Sequence, residues 1–91
     1  MIDFIVNGKA GYARSWLKTK RIITEILESK GVEYRFHFTE YAKHATKIAK
    51  DLCEQGATDI VAIGGDGTVN EVLNGLAVEK VNFGIIPHGS G

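Results

Sequence analysis

The sequence has little cysteine and little proline. Cys53 is the only cysteine among 91 residues, so no disulfide can form within the chain, and a reducing, cytoplasmic setting fits. Its position on an apolar helical stripe favours a buried structural thiol over a nucleophile. The single proline and a hydrophobic content of 44% exclude a disordered composition. A chain of this length suits one small α/β domain.

Net charge and long apolar runs are also absent. Eleven basic residues balance eleven acidic ones, which argues against a strongly basic surface for nucleic acid. No apolar run approaches the roughly 18 residues that span a membrane. Residues 1–4 lead directly into a strand pattern, without the basic and apolar regions of a signal peptide. We therefore expect neither a transmembrane segment nor a nucleic-acid partner.

Short apolar runs alternate with amphipathic segments along the chain. Gly31 and Gly56 stand where helices commonly end. The predicted strands cover 2–6, 33–38, 59–63 and 82–86, and the predicted helices cover 14–30, 42–55 and 69–77. This alternation predicts a three-layer α/β fold, with a parallel sheet between helices on both faces. Ligands bind at the carboxyl ends of such strands, so function is expected in the loops 7–13, 39–42, 64–68 and 87–91.

The segment Gly64–Thr68 is the strongest local signal. Its three glycines allow positive φ and let the backbone approach a ligand closely. Because the segment leads into a helix, its free N–H groups and the helix dipole favour a phosphate. Asp66 would repel a bare phosphate, so its presence is better explained if a magnesium ion or a donor hydroxyl lies between. The alternative is a tight turn in which Asp66 satisfies local N–H groups.

The next residues also match a helix capping box. In that motif Thr68 bonds the third helical N–H and Glu71 reaches back to the cap, which would explain both residues without a ligand. Asn70 lies in the first turn and is not explained by capping.

Other polar residues carry weaker signals. Lys9 could reach a phosphate, but an exposed turn lysine is an equal alternative. The three histidines fall on a strand, a helix and a terminal loop without ligand spacing, so no zinc site is predicted. The basic residues Arg14, Lys18 and Lys20 fit a solvated helix face better than a membrane-facing surface.

Residues 64–75 have the sequence Gly-Gly-Asp-Gly-Thr-Val-Asn-Glu-Val-Leu-Asn-Gly. This segment resembles the signature of the diacylglycerol kinase catalytic-domain family, which includes bacterial lipid kinases and sphingosine kinases. The first five letters are shared with NAD kinases and, more distantly, phosphofructokinases, whereas the extension NEVxNG is more specific. Residues 7–11, 39–40 and 87–91 resemble further elements of the family in the right order. The resemblance covers the whole chain and implies the Rossmann-like N-terminal lobe of a lipid kinase.

The resemblance implies a site for ATP and Mg²⁺. Residues 7–11 and Thr39 would line the adenine and ribose, residues 64–70 would hold the phosphates, and Ser90 would add a hydroxyl. Asp66 would position phosphate and metal. The implied site residues are Asn7, Gly8, Lys9, Ala10, Gly11, Thr39, Gly64, Gly65, Asp66, Gly67, Thr68, Val69, Asn70, Glu71 and Ser90. Gly8 stands where proline is usual, which is expected to loosen the first loop, and Ser90 keeps the hydroxyl of the commoner threonine.

The family's lipid pocket and general base belong to a following β-rich domain, and residues 89–91 stop in the middle of a motif. The resemblance therefore implies that residues 1–91 are the ATP-binding lobe and are inactive alone. The whole enzyme would phosphorylate a lipid such as diacylglycerol and would contact the membrane surface from the cytoplasm. The exposed edge of the fourth strand favours self-association, for example as a homodimer. Two alternatives stay open: the corresponding lobe of an NAD kinase, and a non-catalytic α/β module that binds a nucleotide or a partner.

Overall fold

A computed structural model describes residues 1–9, 14–77 and 80–88. Four strands alternate with three helices. The elements in chain order are β1 (Ile2–Val6), α1 (Arg14–Ser29), β2 (Tyr34–Phe38), α2 (His44–Glu54), β3 (Asp59–Gly64), α3 (Asp66–Gly75) and β4 (Asn82–Pro87). Strand β1 lies between β2 and β3, β4 flanks β3, and every pairing is parallel. The predicted three-layer α/β fold is confirmed.

Each face of the sheet carries its own apolar core. Alternate residues of β1 point to opposite faces, so Phe4 and Val6 pack with Trp16 and Ile23 of α1. On the other face, buried residues of the sheet, α2 and α3 form the second cluster, composed of Ile5, Ala45, Ala49, Leu52, Ile60, Ala62 and Val72. The central strands are therefore apolar on both sides, which explains why their sequences read as short continuous apolar runs.

Two apolar residues of the predicted helices, which their helical spacing would place on buried faces, are largely exposed. Ile26 of α1 is 48% exposed and Leu73 of α3 is 40% exposed. Cys53 is partly buried and packs against the second cluster, as expected for a structural thiol. Gly31 and Gly56 follow α1 and α2 with φ of 68° and 89°, which confirms the predicted glycine endings of both helices. None of the described helices is long and apolar enough to cross a bilayer.

Strand β1 also carries a buried charge. Asp3 is 2% exposed, and its Oδ1 lies 3.0 Å from Nε of Arg35 and 2.9 Å from Nε2 of His37. Both partners lie on β2, and the register pairs Asp3 with Arg35. Because a buried carboxylate needs such partners, this contact fixes how β1 and β2 align.

Helices α2 and α3 approach closely at Gly75. A β-carbon there would collide with the carbonyl oxygen of Thr46 and would lie 2.9 Å from Cβ of Ala49. We expect Gly75→Ala to lower the free energy of unfolding by about 1–3 kcal/mol, because α2 would have to shift. Urea unfolding measures the effect. Gly67→Ala is the matched control within α3, because its β-carbon would meet nothing within 4 Å; equal losses in both variants would contradict the close-packing argument.

Candidate functional site

The carboxyl ends of all four strands lie along one edge of the sheet. Strand β1 leads into Asn7, β2 into Thr39 and β3 into Gly65. Strand β4 ends beside them, where the N–H of His88 donates to the carbonyl oxygen of Gly64 over 3.2 Å. The chain passes from β1 outward to β2 and then back across to β3. The switch point therefore lies between β1 and β3, where sheets of this kind bind ligands.

The glycine-rich segment becomes the start of α3 earlier than predicted. Gly65 is the extended N-cap residue, and no side chain caps the helix. The N–H of Val69 donates to the carbonyl oxygen of Gly65 over 3.1 Å. Helix geometry leaves the N–H groups of residues 66–68 without an intrahelical acceptor. These N–H groups and the helix dipole together favour an anion.

The three glycines of this segment do not adopt the left-handed backbone conformation that glycine allows. Among the described residues, only Gly31, Gly56 and Lys43 have positive φ, so the positive φ that glycine allows is not used at residues 64, 65 and 67. Gly64 allows close packing instead, because its β-carbon would lie 2.8 Å from Oγ1 of Thr68. At Gly65 and Gly67 a β-carbon would meet none of the described residues within 4 Å. A ligand that approaches this backbone closely would explain why both positions lack a side chain.

Thr68 connects α3 to the loop after β1. It is the third residue of α3 and is buried, and its Oγ1 accepts a hydrogen bond of 3.0 Å from Nδ2 of Asn7. The capping-box interpretation is therefore wrong, because Thr68 lies inside the helix rather than at its cap. Capping therefore does not account for Glu71, which lies in the wall of a cleft.

The loop after β1 is held against the loop after β2. The N–H of Gly8 donates to Oγ1 of Thr39 over 2.9 Å, and the N–H of Lys9 donates to Oδ1 of Asn7 over 2.8 Å. A β-carbon on Gly8 would collide with the carbonyl oxygen of Thr39. Glycine at this position therefore permits close contact, and the expectation that it loosens the loop is wrong. Proline would remove the N–H that makes the contact.

These contacts enclose a cleft of about 790 Å³ at the carboxyl edge, within the roughly 300–1,000 Å³ typical of small-molecule sites. Its wall combines backbone turns, hydroxyl and amide groups, one lysine, two glutamates and three aromatic rings. The lining residues are Asn7, Gly8, Lys9, Trp16, Phe38, Thr39, Glu40, Tyr41, Ala42, Ala45, Thr68 and Glu71. The cleft can therefore accept a ligand with both polar and flat apolar parts.

The other predicted site residues that the structure describes lie outside this wall. Residues 65–67 are exposed at the start of α3, where Thr68 brings them beside the cleft, and Gly64 is buried. Val69 packs against the apolar core, and Asn70 is exposed. Ala10, Gly11 and Ser90 fall outside the described residues. The structure therefore brings together the N–H groups at the start of α3 and the two loops, but it assigns Val69 to the core.

Asp66 is the acidic residue in the first turn of α3, and it is exposed. The described ranges contain no group of three or more histidine, cysteine or acidic side chains that could hold a metal ion. Mg²⁺ is commonly bound by one or two carboxylates together with substrate phosphates. One exposed carboxylate beside free helical N–H groups fits a magnesium ion that arrives with a phosphate ligand.

Sequence reasoning missed the aromatic part of the cleft. Trp16 fell within the predicted helix 14–30 and Phe38 within the predicted strand 33–38, and neither was expected in the site. Tyr41 lies within the loop 39–42, which was expected to be functional because of its position after a strand. That position was the available signal, but it did not identify the tyrosine.

Three comparisons place this geometry among known proteins. The family model "Diacylglycerol kinase catalytic domain" matches residues 2–91. A diacylglycerol kinase of Staphylococcus saprophyticus is 43% identical over 77 residues, covering 78% of this chain and 25% of that protein. Sphingoid long-chain bases kinase 1 of Arabidopsis thaliana is 33% identical over 97 residues, covering 94% of this chain and 12% of that protein.

Structural similarity agrees with the sequence matches. A solved structure named "A putative diacylglycerol kinase from Bacillus anthracis str. Sterne" superimposes with a TM-score of 0.77 and 29% identity. The similarity covers 98% of this chain and 30% of the solved one. The chain thus spans 30% or less of the length of each of these three proteins.

Proposed function

The chain belongs to the diacylglycerol kinase catalytic domain family, and we propose that residues 1–91 are the ATP-binding lobe of a lipid kinase. The observation that carries this proposal is the hydrogen bond between Asn7 and Thr68. It joins the loop after β1 to the first turn of α3, so that the cleft and the free N–H groups of that turn form one continuous site. A nucleotide needs both, since its base and ribose require a cleft and its phosphates require N–H donors.

The proposed roles follow the chemistry of each part. The loops around Asn7, Gly8 and Thr39 would contact the adenine and ribose. The backbone of residues 65–68 would hold the phosphates, and Lys9 at the rim of the cleft supplies a positive charge. Asp66 would hold Mg²⁺ together with those phosphates. When bound, the ion neutralises charge on the β- and γ-phosphate oxygens.

The proposed reaction transfers the γ-phosphoryl group to a lipid hydroxyl, with diacylglycerol as the representative acceptor. The hydroxyl oxygen forms a bond to the γ-phosphorus, the bond to the β–γ bridging oxygen breaks, and ADP leaves. The hydroxyl proton passes to a general base, which we assign to a second, β-rich domain. The residues of this chain bind and orient the nucleotide, which is one half of an in-line transfer.

The remaining parts of the proposal concern partners and location. We assign the whole kinase to phospholipid biosynthesis in the cytoplasm, with peripheral contact to the membrane where its substrate lies. Strand β4 is at the edge of the sheet, and Ile85 on it is 51% exposed, which supports contact with a further domain or with a second copy. The family match across residues 2–91 argues against the alternative of an NAD kinase lobe.

Binding of magnesium-ATP tests the proposal directly. We expect weak binding, with the largest changes in amide chemical shift at Asn7, Gly8 and residues 65–68. Titration of ¹⁵N-labelled chain followed by NMR measures this. Thr68→Val removes the acceptor for Asn7 but keeps the side-chain shape, so it should weaken binding several-fold. Shifts centred on Asp59 and Asn82 would contradict the assignment, because these residues begin β3 and β4 and lie at the amino ends of the strands.

A further inference from the structure

Tyr41 is an exposed aromatic residue in the wall of the cleft. It is 57% exposed and lies two residues after Thr39, whose hydroxyl holds the loop after β1. The other two aromatic residues of the cleft contact each other, because Trp16 and Phe38 pack edge to face with ring centroids 5.8 Å apart. Trp16 is also 3% exposed. Phe38 is 41% exposed, so Tyr41 is the most exposed of the aromatic residues that the structure describes in the cleft wall.

His44 fixes the orientation of this ring. The rings of Tyr41 and His44 are stacked, with centroids 4.2 Å apart and an interplanar angle of 13°. Nδ1 of His44 accepts a hydrogen bond of 2.9 Å from the N–H of Glu40, which fixes the imidazole in turn. His44 covers one face of the tyrosine ring. Because more than half of the residue is exposed, we take the opposite face to be the accessible one.

The backbone bends sharply to make this stack. The N–H of His44 donates to the carbonyl oxygen of Tyr41 over 3.1 Å, and Lys43 between them has φ 66° and ψ 6°. A residue with a β-carbon is strained in this left-handed conformation. Strained backbone of this kind occurs most often where a loop has a functional role. The turn places an oriented aromatic ring just before α2, in the wall of the cleft that Thr68 of α3 also lines.

We infer that Tyr41 stacks on the purine base of the nucleotide and that His44 is a positioning residue for it. This inference rests on the proposed function and adds the residue that selects the base. Bound phosphates would lie at the start of α3, and the base would then occupy the adjoining cleft, where Tyr41 offers a flat apolar surface. Stacking of a base on an aromatic side chain depends on ring area and tolerates different hydrogen-bonding edges. A purine therefore gains more from this contact than a pyrimidine does.

Calorimetry with three ligands tests the inference: magnesium-ATP, magnesium-CTP and magnesium-tripolyphosphate, which has no base. Tyr41→Ala should weaken ATP binding roughly five- to a hundredfold, reduce the preference for ATP over CTP, and leave tripolyphosphate binding unchanged. Tyr41→Phe should keep wild-type affinity for all three ligands, because stacking does not need the hydroxyl. His44→Ala should weaken ATP binding less than Tyr41→Ala does, again without an effect on tripolyphosphate.

Ile22→Ala is the control, because Ile22 is 50% exposed on α1 and is not in the cleft wall; it should bind like the wild type. Unchanged ATP affinity in Tyr41→Ala would overturn the inference while the proposed function stands. Equal losses for ATP and tripolyphosphate would also overturn it, because they would show a general distortion of the site. Failure of the wild-type chain to bind any of the three ligands would overturn the proposed function and this inference with it.

Discussion

Asp66→Asn is expected to lower lipid phosphorylation by about a hundredfold or more in the longer kinase of which we propose that this chain is one lobe. Loss of a group that is positioned for the transition state commonly costs this much. The fold should be retained, because Asp66 is exposed and an amide has nearly the same shape as a carboxylate. Its charge near the N-terminus of α3 stabilises the helix by only ~0.3–1 kcal/mol. Activity should therefore fall far more than stability.

Turnover and thermal unfolding, measured on the same preparations, separate these two effects. Asp51→Asn is the matched control, because Asp51 forms an exposed ion pair of 3.0 Å with Lys47 on α2. Such an exposed pair contributes little to stability, so this variant should lose a similarly small amount of stability and no activity. If Asp66→Asn loses activity only in proportion to its loss of stability, then Asp66 is a turn residue that satisfies local N–H groups, which is the alternative given in the sequence analysis.

The order of the elements could be predicted because each one carries an independent local signal. The runs at β1 and β3 are short and apolar, the stripe of α2 has helical spacing, and glycines end α1 and α2. The start of α3 was placed too late. Glycine disfavours helix, so residues 64–68 read as a loop. In the folded chain Gly65 is extended and Asp66 opens the helix, where its charge is favourable.

The site was predictable where it depends on a motif and unpredictable where it depends on distant contacts. The glycine segment and the loops after β1 and β2 were identified, because parallel strands bring their carboxyl ends to one edge. The bonds from Asn7 to Thr68 and from Gly8 to Thr39 span 61 and 31 residues, and local spacing carries no information about them. The capping-box error has the same cause, since Thr68 finds its partner in another loop.

The turn at Tyr41 shows a second limit of sequence reasoning. Lysine is not a residue that commonly adopts positive φ, so nothing in the loop sequence indicated that Lys43 would reverse the chain. Without that reversal, no contact between Tyr41 and His44 would be expected from the sequence. The stack between them is a product of backbone geometry, and it supplies the aromatic wall that the motif alone did not predict.

The 91-residue chain by itself is expected to transfer no phosphate to a lipid. The proposed site would orient the nucleotide, but an in-line transfer also requires the acceptor hydroxyl to be held opposite the γ-phosphorus. That positioning is worth roughly 7–11 kcal/mol of the barrier, which corresponds to at least about 10⁵-fold in rate. The two apolar clusters are filled by the chain's own helices. Of the exposed aliphatic residues, Leu17, Ile22 and Ile26 lie on the surface of α1, and Leu73 and Ile85 lie on two other elements. No acyl-chain pocket is evident among the described residues.

Incubation of the chain with labelled ATP and mixed micelles that contain diacylglycerol or sphingosine measures this transfer. The same preparation must bind magnesium-ATP, which establishes that the lobe is folded and that a negative result reflects the missing acceptor site. Asp66→Asn is the control for specific turnover, because any true activity should depend on the start of α3. Transfer well above background that disappears in Asp66→Asn would show that the acceptor site and the general base lie within these residues, and the assignment of both to a second domain would then be wrong.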